Sequence, residues 1–167
     1  MSLTMQRLAI GCVCAALGAA ACADGSANPV GPGAIPALSS LASSPRSGSL
    51  HITKTCPPST YTGAAGDFCT ITSSNVTEIE AGTRVVYARA ADFSTLSIDS
   101  DVVLDLPGPG NNTAFGHCQV SLASGIGHCT FSGGTGKFTR FHGSANVAPL
   151  GERDFAWDGT YGFDSRE

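Results

Sequence analysis

The sequence predicts an all-β domain of eight strands, an antiparallel barrel or sandwich, and three observations lead to this prediction. After Ser47 no window shows the 3.6-residue period of an amphipathic helix, whereas alternation of apolar and polar residues appears repeatedly. Glycine supplies 21 of the 167 residues, roughly twice its usual share of about 7%, so turns are frequent. A hydrophobic content of 42% is enough for one core. We therefore expect a single β domain with no substantial helix after its leader.

The predicted strands show the two-residue period of half-buried β-structure. In the fourth, aspartates occupy one face and four aliphatic residues share the other: Leu96, Ile98, Val102 and Leu104. In the eighth, four aromatic residues share a face with Gly159 and give the strongest core signal in the chain: Phe155, Trp157, Tyr161 and Phe163. Glycine and proline clusters separate the strands. The eight predicted strands span 48–55, 67–73, 83–91, 94–106, 113–123, 127–133, 137–148 and 153–163.

The N-terminus predicts export. Arg7 precedes an uncharged run, 8–21, which has the length of a signal-peptide core and is short for a membrane span. Ala19-Ala20-Ala21-Cys22 resembles a bacterial lipobox without its usual leucine, so we expect residues 1–22 to be a signal peptide and Cys22 to carry a lipid anchor in the membrane. Cleavage after Ala23 would instead release a secreted protein. Either way the expected location is outside the cytoplasm.

A tether is predicted between the leader and the domain. Residues 23–47 consist mostly of Ala, Ser, Pro and Gly and lack the large apolar residues that a core needs. We expect a flexible linker there, which leaves 48–167 as the β domain.

The charge pattern argues against nucleic acid as a partner. The chain contains nine basic and 13 acidic residues, which gives a formal net charge of −4. Lys54 and Lys137 are the two lysines, and no two basic residues are adjacent. A nucleic-acid surface needs clustered Lys and Arg.

The cysteines predict two disulfides. Three of the seven lie in the leader or at its end, which leaves Cys56, Cys69, Cys118 and Cys129 in the domain. An exported protein with four cysteines reads as disulfide-bonded, with three possible connectivities. We favour Cys56–Cys69 and Cys118–Cys129, because each closes a short, hairpin-like loop. Zinc is the weaker alternative, since no Cys-x-x-Cys spacing is present.

Two segments carry a resemblance to a known superfamily. The tract Cys129–Ala145 contains the turn Gly133-Gly134-Thr135-Gly136, and a second segment, Trp157–Phe163, closes the chain. Together they resemble the back half of the allene oxide cyclase and dirigent β-barrels, although Phe141-His142-Gly143 stands where those proteins carry Ala-Arg-Gly. The resemblance implies an eight-stranded barrel with an apolar lumen. That fold hosts cyclisation or stereoselective coupling and also proteins without known activity, so no catalytic residue is carried over.

The histidines are candidates for metal binding or proton transfer. Gly-His-Cys occurs twice, ending at Cys118 and Cys129. If these cysteines face each other across a hairpin, then His117 and His128 are diagonal neighbours on the opposite face and could share a metal. On the next predicted strand, Arg140 and His142 fall on the same face as Phe138, and they could extend the face that carries His117 and His128. The plainer interpretation, which we favour, is that these histidines occupy polar strand positions.

Other candidates lie in the expected lumen. Tyr87 and Arg89 share a face with Val85, where they are either polar groups inside the barrel or rim residues. The candidate catalytic residues are therefore His142, Arg140 and Tyr87, and the candidate ligand contacts are Phe141, Trp157 and Tyr161. The Gly-Gly-Thr-Gly-Lys string lacks the flanking residues of a phosphate loop, and no cofactor is expected.

Three functions suit this sequence. The first is a binding module whose lumen holds a small hydrophobic molecule. The second is a structural or surface-interaction domain whose interior is filled by its own side chains. The third is a cyclase or isomerase, which requires an ionisable residue among the inward positions. An open cavity and the side chains pointing into it would separate them.

Overall fold

Residues 46–165, described here from a computed structural model, form a closed antiparallel barrel in which every strand pairs with its sequence neighbours. The helical element in this range is a single 3-10 turn, Gly136–Phe138. The structure confirms the eight-stranded all-β prediction. The strands are β1 (Arg46–Thr55), β2 (Phe68–Ser74), β3 (Arg84–Tyr87), β4 (Ser97–Asp105), β5 (Thr113–Ser121), β6 (Gly127–Gly134), β7 (Phe141–Pro149) and β8 (Asp154–Phe163).

The predicted leader and the predicted lipidation site at Cys22 lie outside the described residues, as does most of the linker 23–47. The barrel itself begins at Arg46, two residues before the predicted start, because β1 pairs with β8 from Arg46↔Phe163 to Thr55↔Asp154. Among residues 46–165 no helix is long and apolar enough to cross a membrane.

Two strand starts differ from the prediction because non-glycine residues adopt left-handed backbone conformations. Leu96 has φ 50° and stands before β4, and its side chain is 48% exposed, so it does not belong to the inner row. Ser100 is buried on that face instead. Arg140 has φ 65° and follows the 3-10 turn, so β7 begins at Phe141 and not at 137. Such residues reverse the chain locally and end the alternation that the sequence suggested.

One end of the barrel is closed by apolar packing. The loops 75–83, 106–112 and 135–140 meet there, and they bury three of their own apolar side chains, Val76, Ile79 and Phe138. Phe138 packs edge-on against Phe141 with ring centroids 5.3 Å apart. Further aromatic contacts link this pair to the rest of the inner face: Phe141–Phe163, Phe131–Phe141 and Phe131–Trp157. We call this the closed end.

The other end is formed by the loops 56–67, 88–96, 122–126 and 150–153, and we call it the open end. Both favoured disulfides are present in the structure. Cys56–Cys69 ties the loop after β1 to β2, while Cys118–Cys129 joins directly opposed residues of β5 and β6 inside the lumen. Each closes a short loop and stabilises the fold by about 3 kcal/mol in the chain-entropy account.

Gly159 lets the aromatic row of β8 approach β7. It faces the lumen between Trp157 and Tyr161, opposite Ala145. A Cβ placed on Gly159 would overlap the Ser144 carbonyl oxygen and lie 2.8 Å from Ala145 Cα. Because these neighbours are backbone atoms of a paired strand, they cannot move aside cheaply.

We predict that Gly159→Ala lowers the free energy of unfolding by about 2 to 3 kcal/mol, the usual cost of overpacking. Gly151→Ala is the matched control, because a Cβ there meets nothing within 4 Å. Urea unfolding of both variants measures the difference. Equal stability of the two variants would contradict the packing argument.

Candidate functional site

The open end leads into a cavity of about 200 Å³. Its floor and walls come from inward-facing residues near the ends of the strands and from the Cys56–Cys69 disulfide. Most of the wall is apolar, and Glu152 and Arg153 line it from the β7–β8 loop. The apolar wall residues are Ile98, Val120, Leu122, Val147 and Phe155.

Lys54 brings a buried amine into this cavity. On β1 it continues the inward row of Leu50 and Ile52, and its exposed fraction is only 3%. The Lys54 Nζ donates a hydrogen bond to Tyr87 Oη at 2.5 Å. Tyr87 ends β3, and at 2% exposure it is equally buried. The cavity therefore holds an amine and a phenol in direct contact.

Aromatic rings surround the Lys54 amine where a carboxylate would be expected. Its Nζ lies 4.6 Å from the centre of the Trp157 ring, 5.2 Å from that of Tyr87 and 5.6 Å from that of Phe155. None of the ion pairs among residues 46–165 includes Lys54. Ring faces attract an ammonium ion by about 2 kcal/mol at a desolvated site, which offsets only part of the cost of burying the charge.

Burial consequently shifts both ionisations towards the neutral forms. Loss of hydration lowers the pKa of Lys54 from 10.5 to about 7. Burial, followed by the neighbouring Tyr61, raises the pKa of Tyr87 above its ordinary value. Tyr61 packs edge-on against Tyr87 at 5.2 Å between ring centres. Near pH 7, therefore, an amine that is unprotonated in about half of the molecules lies beside a protonated phenol.

The structure places only one of the candidate catalytic residues at this cavity, namely Tyr87. His142 and Arg140 lie on the outside: the His142 Nδ1 is 3.4 Å from Asp164, and the Arg140 guanidinium donates to the Ser165 carbonyl. The expectation that both share a face with Phe138 is wrong. Phe138 is fully buried, and the 3-10 turn with the left-handed Arg140 resets the alternation before β7 begins.

Arg89 also lies outside the lumen. Because β3 ends at Tyr87, the chain turns before Arg89, whose guanidinium lies within 4.0 Å of Asp99 and Asp101. The two-residue alternation that placed Arg89 on the same face as Tyr87 therefore stops at Tyr87, where the strand ends.

His117 and His128 are diagonal neighbours on the outer face, as their spacing suggested, because Cys118 pairs with Cys129. Each has separate partners. His117 contacts Asp101 at 2.9 Å and Asp99 at 3.1 Å, whereas His128 lies 3.3 Å from Asn146 and from Ser144. Within residues 46–165 no group of three or more His, Cys, Asp or Glu side chains is arranged to hold a metal.

The three candidate ligand contacts lie deeper in the barrel than the cavity. Phe141 and Trp157 are buried in the aromatic packing towards the closed end, and Tyr161 is half-buried beside Phe163. Trp157 still touches the site, because its ring lies under the Lys54 amine. The candidate residues predicted from the sequence do not include Lys54. The pattern that indicates it is a lysine at an inward-facing position of a strand, two residues after Ile52.

Lys54 should make stability depend on pH. Because its folded pKa is lowered, the unfolded chain binds more protons between about pH 7 and 10.5, so stability rises with pH across that window. We predict that Lys54→Met raises the free energy of unfolding by about 4 kcal/mol at pH 6, and that this gain shrinks as the pH approaches 10.

Urea unfolding at pH 6 and pH 9 tests this prediction. Lys137→Met is the control, since Lys137 is exposed and pairs with Glu80 at 2.7 Å. A gain for Lys54→Met that does not change with pH would show that the buried amine is not the cause.

The glycine tract that carries the resemblance forms the connection between β6 and β7. Gly133 has φ 102° and Gly136 has φ 57°, so both use the left-handed region that glycine tolerates. A Cβ on Gly136 would also overlap the Asn112 side chain. The tract therefore brings β7 back beside β6 at the closed end, away from the cavity.

No protein-family model matches the chain, no curated protein is significantly similar to it in sequence, and no solved structure is significantly similar to it in fold.

Proposed function

We propose that this barrel binds a small, mainly apolar molecule through its open end, with an oxygen of that molecule held at Lys54 and Tyr87. One observation carries the proposal: a buried amine without a carboxylate partner among the described residues lines a cavity whose wall is mostly apolar. Buried charges are ordinarily paired. A ligand that accepts a hydrogen bond would supply the missing partner.

The cavity volume limits the size of the molecule. Sites for drug-sized ligands occupy about 300 to 1,000 Å³, and an engineered cavity of about 150 Å³ holds benzene. A volume of about 200 Å³ therefore suits a substituted benzene or a branched aliphatic molecule of similar size. Aromatic side chains fill the lumen at the closed end, so the ligand would occupy the part of the lumen next to the open end.

Exposed apolar side chains around the open end support an apolar ligand. Of the five large hydrophobic residues that are exposed in the described range, four lie on the loops of this end. Side chains of this kind favour contact with apolar molecules before they enter the cavity. The four are Phe93, Leu96, Ile126 and Leu150.

The second candidate, a cyclase or isomerase, is favoured by the Lys54–Tyr87 contact, which is an ionisable pair inside the cavity. The proposed kinship with allene oxide cyclase and dirigent barrels draws support from the closed eight-stranded barrel and the glycine turn. The barrel and the glycine turn do not match any residue of this chain to a catalytic residue of those proteins. Binding is therefore the function we place first.

We also propose that the domain works outside the cytoplasm, attached to a membrane through Cys22, with secretion as the alternative. Two disulfides in one small domain suit an oxidising compartment. The Lys54 site would then meet small molecules of the cell envelope or the medium.

Binding is predicted to be measurable with benzyl alcohol. A gain of about 0.5 kcal/mol for each of its eight non-hydrogen atoms lies well below the ceiling of about 1.5 kcal/mol for the best small ligands, and it corresponds to saturation with a Kd of about 1 mM. The chain has one tryptophan. Because this residue, Trp157, lies under the Lys54 amine, its fluorescence reports on the cavity directly.

The matched variants place an added ring inside or outside the cavity. Val120→Phe fills the cavity and should weaken binding at least about tenfold by occupying the ligand's volume. Val86→Phe adds the same ring to the outer side of β3 and should leave binding unchanged. If the fluorescence of the wild type shows no saturable response to benzyl alcohol, binding is contradicted and a structural or surface-interaction role becomes the better proposal.

Lipid attachment is predicted at Cys22. In cells supplied with labelled palmitate, the wild type should incorporate label and Cys22→Ala should not, because a lipobox cysteine carries the acyl chains. Cys14→Ala, also in the predicted leader, should remain labelled. Unchanged labelling of Cys22→Ala would reject the anchor, and an unlabelled wild type would favour secretion.

A further inference from the structure

We propose that Lys54 is a nucleophile that forms a reversible imine with a small aldehyde or ketone in the open-end cavity. This proposal deepens the proposed binding function and rests on it. It assigns the class of ligand: a carbonyl compound whose apolar part fills the cavity and whose carbonyl carbon meets the Lys54 amine.

The position of the amine suits this reaction. Lys54 lines the cavity and lies at the end of an inward-facing row of β1, so the strand places its side chain at the cavity wall. The amine makes its hydrogen bond to Tyr87 on one side. Ile98, Val120 and Val147 form an apolar part of the wall, against which a bound carbonyl compound would exchange water for apolar contacts.

The surroundings also supply the reactive form of lysine. The groups that face the amine are the phenol of Tyr87 and the rings of Trp157 and Phe155; Glu152 and Arg153 also line the cavity. Burial among these rings leaves about half of the Lys54 population unprotonated near pH 7. A lysine with an ordinary pKa of about 10.4 is unprotonated in fewer than about one molecule in a thousand at that pH.

The reaction balances with groups present in the site. The Nζ lone pair forms a bond to the carbonyl carbon, the C=O π pair moves to oxygen, and an N–H proton transfers to that oxygen to give a carbinolamine. Tyr87 then donates its proton to the hydroxyl, the nitrogen lone pair forms the C=N bond as the C–O bond breaks, and water departs to leave an iminium beside the Tyr87 phenolate. The remaining N–H proton returns to the Tyr87 oxygen, so a neutral imine, one water and an unchanged tyrosine result.

The same rings would stabilise the protonated imine. An iminium cation at this position faces Trp157, Tyr87 and Phe155, and ring faces attract cations without forming a bond to them. Lys137 lacks this environment, because its amine is exposed and bound to Glu80. The two lysines of the chain therefore provide an internal comparison.

Reductive trapping tests the proposal on the full-length chain. Benzaldehyde and sodium cyanoborohydride are added at pH 7, and peptide mass mapping locates any added benzyl group. We expect the Lys54 peptide to gain one benzyl group at least about tenfold faster than the Lys137 peptide. The labelling rate should rise with pH and level off above about pH 7, where Lys54 loses its proton.

Three variants separate the amine, the proton donor and the cavity. Lys54→Met should abolish labelling of this peptide, and it is expected to fold because it removes a buried charge. Tyr87→Phe should slow labelling of Lys54, because it removes the proton donor, and should also weaken benzyl alcohol binding, because it removes one contact to the ligand's oxygen. Val120→Phe should protect Lys54 from benzaldehyde, and Val86→Phe should not.

The outcomes distinguish this proposal from the binding function. If benzyl alcohol binds and benzaldehyde leaves Lys54 unmodified, the imine is overturned and binding stands. If Lys54 and Lys137 react at equal rates, or if Val120→Phe reacts as fast as the wild type, the cavity does not promote the reaction and the proposal fails. If neither probe acts at the cavity, both proposals fail.

Discussion

The in-register closure of β1 against β8 is the constraint on which the rest of the structure depends. Ten consecutive pairs join the two strands, from Arg46↔Phe163 to Thr55↔Asp154. Because side chains alternate across a sheet, this register fixes which residues of both strands enter the lumen, and a shift of one residue would exchange the two faces. Leu50, Ile52 and Trp157 all face inwards in the observed register. Their burial holds the strand in place, and Lys54 is carried into the interior as a consequence.

The two ends of the lumen therefore contribute opposite terms to stability. At the closed end, Phe141 packs against both Phe131 and Phe138, and each of the three buried rings contributes the favourable free energy of burying an aromatic side chain. At the open end, Lys54 is buried without a carboxylate partner in the described chain, which costs free energy. A barrel selected for stability alone would carry an apolar residue at this position. Destabilising groups retained in a cavity are typical of functional sites, because function and stability make different demands on the same residue.

The sequence predicted the strands and the disulfides because both follow from local pattern. Period-2 alternation and short cysteine spacing are properties of neighbouring residues, and closure of the sheet did not disturb them. Parity failed at two turns where a non-glycine residue adopts positive φ: Leu96 and Arg140 reset the alternation, so Leu96, Arg140 and His142 lie outside the lumen. Lys54 needed a different argument. Its inward parity was visible beside Ile52, but the ring faces that receive its amine come from β3 and β8, distant in sequence. Only the closed barrel brings them together.

The apolar environment of Lys54 acts on its two protonation states in different ways. Loss of hydration disfavours the ammonium, whereas the faces of Trp157, Tyr87 and Phe155 attract it, and the balance lowers the pKa to about 7. The amine therefore loses or accepts a proton near neutral pH, while the adjacent Tyr87 phenol, whose pKa is raised by burial, stays protonated. A histidine could also titrate in this range, but it would not offer a primary amine on a flexible chain. A lysine at this position provides a nucleophile as well as a cation, and this chemical difference connects the cavity with carbonyl compounds specifically.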